Sequence, residues 1–223
     1  KLLSSLQKQP PFSFVPQSHR NWFDESKLLK FSPGERLYRP DEISNYVYVV
    51  LKGEVRLLGL STSSQDQVTL DLRGPGQIIG WVSLLRASST EFVQASTDVV
   101  VLALSASGFI DIFKSSPEFS AYFNSRSSVQ ESYLISQSYA ASLPMIPSDD
   151  FTSAQDISSR SKVFVAASSS DKLPALDKGW NWHLSSHHSS FPKPGSVVDS
   201  LDQFPFFTSG LLLPIRFIGS VNS

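Results

Sequence analysis

The tightest constraint on this chain lies between Phe31 and Leu104, where turn signals recur about every 8–12 residues between short β-branched and aromatic runs. Phe31-Ser32-Pro33-Gly34-Glu35 reads as a turn, because Pro33 sets φ at one corner and Gly34 permits positive φ at the next. Leu37-Tyr38, Tyr46–Leu51, Val55–Leu58, Val68–Leu72, Ile78-Ile79, Phe92–Ala95 and Val99–Leu104 read as strands. Residues 46–58 are expected to form one hairpin, broken at Lys52-Gly53. This spacing predicts a mainly β fold: an antiparallel β-roll (jelly-roll-like) with flanking helices, followed by a small β-rich tail subdomain.

After Leu104 the period changes to a helical one. Ser105 is a plausible N-cap for a helix over 106–113, and Phe109, Ile112 and Phe113 form its apolar face. Ser116-Pro117-Glu118 predicts a second start, over 117–124: a Ser cap, Pro at the first helical position and Glu against the dipole. Phe119, Tyr122 and Phe123 face inward there, and the pattern can continue through Val129, Tyr133 and Leu134. Upstream, residues 21–30 suit a short helix with Leu28 and Leu29 facing the core, behind a proline-bearing arm that is extended or loosely docked. The resulting division is an N-terminal arm and short helix (1–27), a β-roll with C-terminal helices (28–136), a Ser/Pro-rich linker (137–161) and a small β-rich subdomain (162–223). The linker has few apolar anchors, so the expectation is that it is the mobile part.

Composition removes several function classes. Nineteen basic residues against 20 acidic give a net charge of −1, which supplies no attraction for nucleic acid or an anionic membrane. No apolar run approaches the length of a membrane span. Without cysteine there is no disulfide, thiolate metal site or thiol nucleophile. No cofactor, nucleic-acid partner or direct membrane insertion is expected. The start at Lys1, without an initiator Met, suggests a piece of a longer protein.

The ordered series Pro33-Gly34-Glu35, Tyr48, Gly53-Glu54-Val55, Gly76-x-x-x-Gly80, Phe92–Leu104 and Ser116-Pro117-Glu118-Phe119 resembles the cyclic-nucleotide-binding domain. The resemblance covers about a hundred residues and implies an eight-stranded β-roll with flanking helices. It also implies a ligand site: backbone N–H groups and one Arg for a cyclic phosphate, and a Glu after the glycine for a ribose hydroxyl. Gly80 is present, but Trp81 stands where that Glu belongs, and Ser89, followed by Thr90 and Glu91, occupies the Arg position. Arg86 lies three residues earlier and can swing in. Losing a buried Arg–phosphate pair costs on the order of 2–5 kcal/mol, and Glu91 would add repulsion. Gly80, Trp81, Val82, Arg86, Ser89 and Thr90 are therefore expected to line a vestigial ligand pocket, with Trp81 as its plug.

Trp182-His183-Leu184-Ser185-Ser186 and Leu213-Pro214-Ile215-Arg216-Phe217-Ile218-Gly219, following a degenerate roll, resemble the N-terminal extension of cyanobacterial peptidase-containing ABC exporters of the type I secretion class. That resemblance implies a non-catalytic regulatory or docking module of a membrane transporter, cytoplasmic and at the inner face of the membrane. Its partners would be the other domains of the parent transporter, and a cyclic nucleotide is not expected. The alternative is a ligand-sensing domain that still binds a cyclic nucleotide or other small anion through Gly80, Ser89, Thr90 and Arg86. A transcription factor fits less well, since no basic recognition helix follows.

Other constellations have blander readings. His183 and His187 have the i, i+4 spacing of a metal pair, but their Ser-rich surroundings suit an exposed polar loop. No Gly-x-Ser-x-Gly elbow supports a hydrolase. Gly74-Pro75-Gly76 lacks the following Lys-Ser/Thr of a phosphate loop.

Overall fold

The computed structural model describes residues 2–61, 66–140, 158–168, 170–202 and 213–221, with Gln155 and Phe204. Most of the expected 137–161 linker lies outside the described residues. The strands are β1 (Lys27–Phe31), β2 (Arg36–Tyr38), β3 (Tyr46–Lys52), β4 (Val55–Leu60), β5 (Gln67–Arg73), β6 (Ile78–Ile79), β7 (Val93–Ala95) and β8 (Val99–Ser105). Residues after α6 add β9 (Lys162–Ala166), β10 (Trp180–Leu184), β11 (Val197–Val198) and β12 (Ile215–Val221). The helices are α1 (Leu2–Leu6), α2 (Asn21–Asp24), α3 (Trp81–Arg86), α4 (Ala106–Ser115), α5 (Pro117–Asn124) and α6 (Val129–Ala140).

Three four-stranded sheets result, ordered β1-β8-β3-β6, β2-β7-β4-β5 and β11-β10-β12-β9. Every pairing is antiparallel. The expected mainly β, jelly-roll-like roll is not what forms. The fold is mixed, with helices nearly as prominent as strands, and none of the three sheets closes into a barrel or curls into a roll. Turn spacing locates a reversal but does not say which strand the returning segment joins. The supposed 46–58 hairpin shows this. β3 pairs with β8 and β6, whereas β4 pairs with β5 and β7, so Gly53 at φ +81° carries the chain from one sheet to the other.

The first sheet is the middle layer. Val47, Val49, Leu102 and Leu104 face a helical core with Trp22, Phe109, Phe119 and Phe123. Their alternates Tyr48, Val50, Val101 and Ala103 face Val55, Leu57, Leu70 and Val93 of the second sheet. Burial on both faces explains why 46–51 and 99–104 are apolar without alternation. The helix starts follow the sequence reading closely: Ser105 Oγ accepts from Gly108 N and Ser116 Oγ from Phe119 N, with Pro117 at the first helical position of α5. α5 does not run on. The chain breaks at Ser125–Ser128 and restarts as α6.

Two readings of the N-terminal segment need correction. Residues 27–31 are a strand rather than helix, and Leu28 is 66% exposed on that edge. The arm is not loose: Phe12 and Val15 are buried with Trp22 and Phe23, and Trp22 Nε1 donates to Ser105 O at 3.0 Å. The third sheet has a core of its own, in which Trp182, Leu184, Ile215 and Phe217 pack with Phe204.

Candidate functional site

The site is organised by the strand–helix–strand passage β6-α3-β7. Gly80 has φ +91°, and a Cβ there would collide with the Tyr38 hydroxyl, which donates to Ile79 O at 3.2 Å and Tyr46 O at 3.0 Å. Only glycine satisfies both the conformation and the contact. The helix that follows is one and a half turns long, so most of its early amides need partners from outside it.

Glu91 supplies them. Its carboxylate accepts from Val82 N at 2.8 Å, from Ser83 N at 2.9 Å and from the Ser83 hydroxyl. Ser83 Oγ in turn accepts from Thr90 N and Glu91 N, which stitches the return segment to the first turn of α3. The acid is buried, and that burial pushes its carboxyl above the usual carboxylate range, against the lowering pull of the Ser83 and Val82 hydrogen bonds. Glu91 was expected to add repulsion toward a phosphate; in the structure its carboxylate caps the first amides of α3.

The other expected site residues separate. Gly80, Trp81, Val82 and Thr90 surround the Glu91 carboxylate or its helix. Arg86 is buried but faces the other way, donating through Nε to Ser185 O at 3.0 Å and through Nη1 to Thr90 Oγ1 at 2.7 Å. Ser89 turns toward a different loop and donates to Glu42 O at 2.9 Å. Trp81 packs on Phe123 at 5.1 Å between ring centroids.

Beside this cassette is a cavity of about 240 Å³, below the roughly 300–1,000 Å³ usual for small-molecule sites. Its inner wall includes Gly80, Trp81 and Glu91, while Tyr122, Arg126 and Gln130 contribute from α5, α6 and the turn between them. Arg73 and Arg126 are the cations of its lining, and the Arg126 guanidinium lies 3.6 Å over the Tyr122 ring. Gln130 Nε2 donates to Leu58 O and Phe92 O, fastening α6 to the second sheet.

Behind the cassette, Arg216 and Glu131 form a fully buried pair, with Nε to Oε1 at 2.7 Å and Nη2 to Oε2 at 3.0 Å. Burial alone would raise the Glu131 carboxyl, but the charge and hydrogen bonds of Arg216 outweigh it and hold it below the usual carboxylate range. Sequence reading missed this pair, and no spacing rule joins residues 85 positions apart. It also misplaced His183, which is buried in β10 with Nδ1 3.1 Å from Gly195 O rather than in an exposed loop. Among the described residues, no group of three or more His, Asp or Glu side chains can hold a metal. No described helix is long and apolar enough to cross a membrane.

Glu91 and Glu131 should leave opposite marks on stability. A carboxyl raised on folding contributes most below its unfolded value, near 4.5, and that contribution is lost as pH rises through the folded value. One lowered on folding contributes above its unfolded value and is lost as pH falls. Urea unfolding of Glu91→Gln from pH 4.5 upward should show a shallower decline with pH than the parent protein. An unchanged slope would mean that Glu91 does not titrate in this window.

Residues 28–116 match the family model described as the cyclic nucleotide-binding domain. The fold of this segment is cyclic-nucleotide-binding-like. Among solved structures, the regulatory subunit of a cAMP-independent protein kinase A from Trypanosoma cruzi, bound to guanosine, aligns with a TM-score of 0.52 at 19% identity, covering 62% of this chain and 49% of that one. This chain thus spans about half the length of that relative. The sensor domain of the transcriptional regulator DNR from Pseudomonas aeruginosa aligns at 0.48 and 13% identity, over 54% of this chain and 86% of that one. The catabolite activator protein of Thermus thermophilus aligns at 0.44 and 20% identity, over 60% and 61%. No curated protein matches the chain significantly.

The family match and the alignment at 0.52 correct the functional expectation: both show a cyclic-nucleotide-binding-like fold, and neither names an ABC exporter, type I secretion or a cyanobacterial source. The reading of a transporter docking module, with the transporter's other domains as partners, is withdrawn. So is the expectation against a cyclic nucleotide as ligand, because the matched family model is described by such a ligand.

Proposed function

We propose that this chain is a non-catalytic, ligand-sensing regulatory module whose cavity beside Gly80–Glu91 takes a small polar molecule of the nucleoside class. The observation that carries this reading is the Glu91 carboxylate on the α3 amides. It turns the inner wall of the cavity from a set of donors into an acceptor. Such a wall suits the hydroxyl or ring N–H donors of a neutral nucleoside, while a cyclic phosphate has to displace the carboxylate to reach the same amides. The trypanosomal regulatory subunit bound to guanosine is a precedent for a phosphate-free ligand on this fold. Gly80, Trp81 and Glu91 line the proposed site; Val82 and Thr90 support it through their hydrogen bonds to Glu91 and Ser83, while Arg86 and Ser89 lie outside its lining.

Titration calorimetry with guanosine, adenosine, cAMP and cGMP tests the reading. A nucleoside should bind the parent protein at least about tenfold more tightly than the cyclic phosphate built on it, a difference of roughly 1.4 kcal/mol. Glu91→Ala frees the amides and should reverse that order. If no nucleoside and no cyclic nucleotide binds below the millimolar range, the sensing role is wrong. If the order is the same in both proteins, the assignment to Glu91 is wrong.

A further inference from the structure

The third sheet touches the rest of the molecule through a polar junction that is out of keeping with an ordinary packing contact. Arg216 on β12 is among the largest fully buried side chains. All three nitrogens of its guanidinium donate: Nε and Nη2 reach Glu131 of α6, Nη1 donates to Phe123 O at 3.4 Å, and Nη2 donates to Arg126 O at 2.5 Å. Phe123 and Arg126 flank the end of α5, where carbonyls lack helical partners and a cation is favoured. One β12 side chain therefore holds the α5–α6 turn, and that turn forms a wall of the cavity.

A second branch reaches the segment that joins α3 to β7. Ser185, just past β10, donates from Oγ to Glu131 at 2.5 Å, and its carbonyl accepts from Arg86 Nε. His187 N donates to Arg86 O at 2.7 Å, which ties the last residue of α3 to the strand end. Arg86 also holds Thr90, whose amide is part of the Ser83–Glu91 stitch. Glu131 and Ser185 join the two branches.

We propose that the β9–β12 sheet is a built-in control element for the cavity: docked through Arg216 and Ser185, it fixes both the α5–α6 turn and the α3–β7 cassette in their present positions. Well-packed apolar residues would dock a sheet as firmly, since a buried ion pair gains little net stability. What the network adds is a single permitted geometry and two discrete states, made or broken, at the residues that shape the site. Any ligand that shifts the turn or the cassette must bias the docking, and by reciprocity the docking must bias the ligand. That last step rests on the function proposed above; the mechanical link does not.

Hydrogen exchange resolved by residue tests the link without any ligand. In the full chain, the double variant Glu131→Gln/Arg216→Met removes both charges of the ion pair together, with Glu91 left as the buried carboxylate acting on Arg86. The amides of Val82, Ser83, Thr90 and Glu91, and those of Gln130–Ser132, should then exchange at least tenfold faster, with β3 and β8 unchanged. Arg86→Met cuts only the α3 branch, so it should accelerate the cassette amides and spare Gln130–Ser132. Unchanged cassette exchange in both variants overturns the proposal, as does an acceleration that reaches β3 and β8 equally. A parent protein that binds no nucleoside but still shows the selective acceleration would reject the proposed ligand and leave the control element standing.

Discussion

Glu131→Ala is expected to remove about 3–5 kcal/mol of unfolding free energy, because it strands the Arg216 charge in a site without water. Both side chains are essentially inaccessible, and the guanidinium would keep only the Phe123 and Arg126 carbonyls. Urea or guanidinium midpoints at neutral pH measure the loss. The double variant Glu131→Gln/Arg216→Met should retain most of the parent stability, since buried pairs exchanged as a unit are often close to neutral. A loss under about 1 kcal/mol for Glu131→Ala would mean that water reaches the pair when the third sheet opens. The comparison separates the cost of an orphaned charge from the net worth of the interaction.

Phe123→Ala is the second substitution with a large expected cost, about 3–5 kcal/mol. The ring meets Phe109 at 5.0 Å and Phe119, Tyr122 and Trp81 at 5.1 Å, and it is fully buried. Few neighbours can collapse into the space, because Phe109 and Phe119 are locked against Trp22 and the first sheet. Phe123 also lines the cavity beside Gly80, so the variant should enlarge it. Leu28→Ala is the control: a larger fraction of that side chain is solvated, and the change should stay within about 0.5 kcal/mol. If the two variants unfold at the same denaturant concentration, the aromatic cluster is not the core of the helical layer.

The parts of the fold that were legible in the sequence are those governed by neighbours along the chain. Ser105 and Ser116 cap their helices as read, because an N-cap bond spans only three residues and depends on side-chain type. Turns at Gly34, Gly53 and Gly76 were legible for the same local reason, and all three have positive φ. The strands around them were legible too. How they pair was not, since β3 and β4 are adjacent in sequence and lie in different sheets. A turn signal encodes a reversal, whereas the choice of partner strand depends on which faces can be buried together.

The site divides along the same line. The sequence reading places Trp81 and Ser89 where the resemblance expects a Glu and an Arg, an assignment that rests on the residues alone. What caps the first amides of α3 was not legible. Glu91 and Val82 are nine residues apart, and only the return of the chain through Ala87, with φ +52°, brings the carboxylate back onto the α3 amides. The Arg216–Glu131–Ser185–Arg86 network was further still from view, because its members come from four elements or their ends, and isolated polar residues in a Ser-rich sequence give no sign of burial. By itself the sequence determined the turns at Gly34, Gly53 and Gly76, the starts of α4 and α5 and the apolar runs of β3 and β8, all of which depend on local residue type, sterics and hydrogen bonding. Only the tertiary structure decided which sheets form, where Glu91 rests and what clamps the cavity, because those outcomes depend on charges and faces that meet only once the chain has closed.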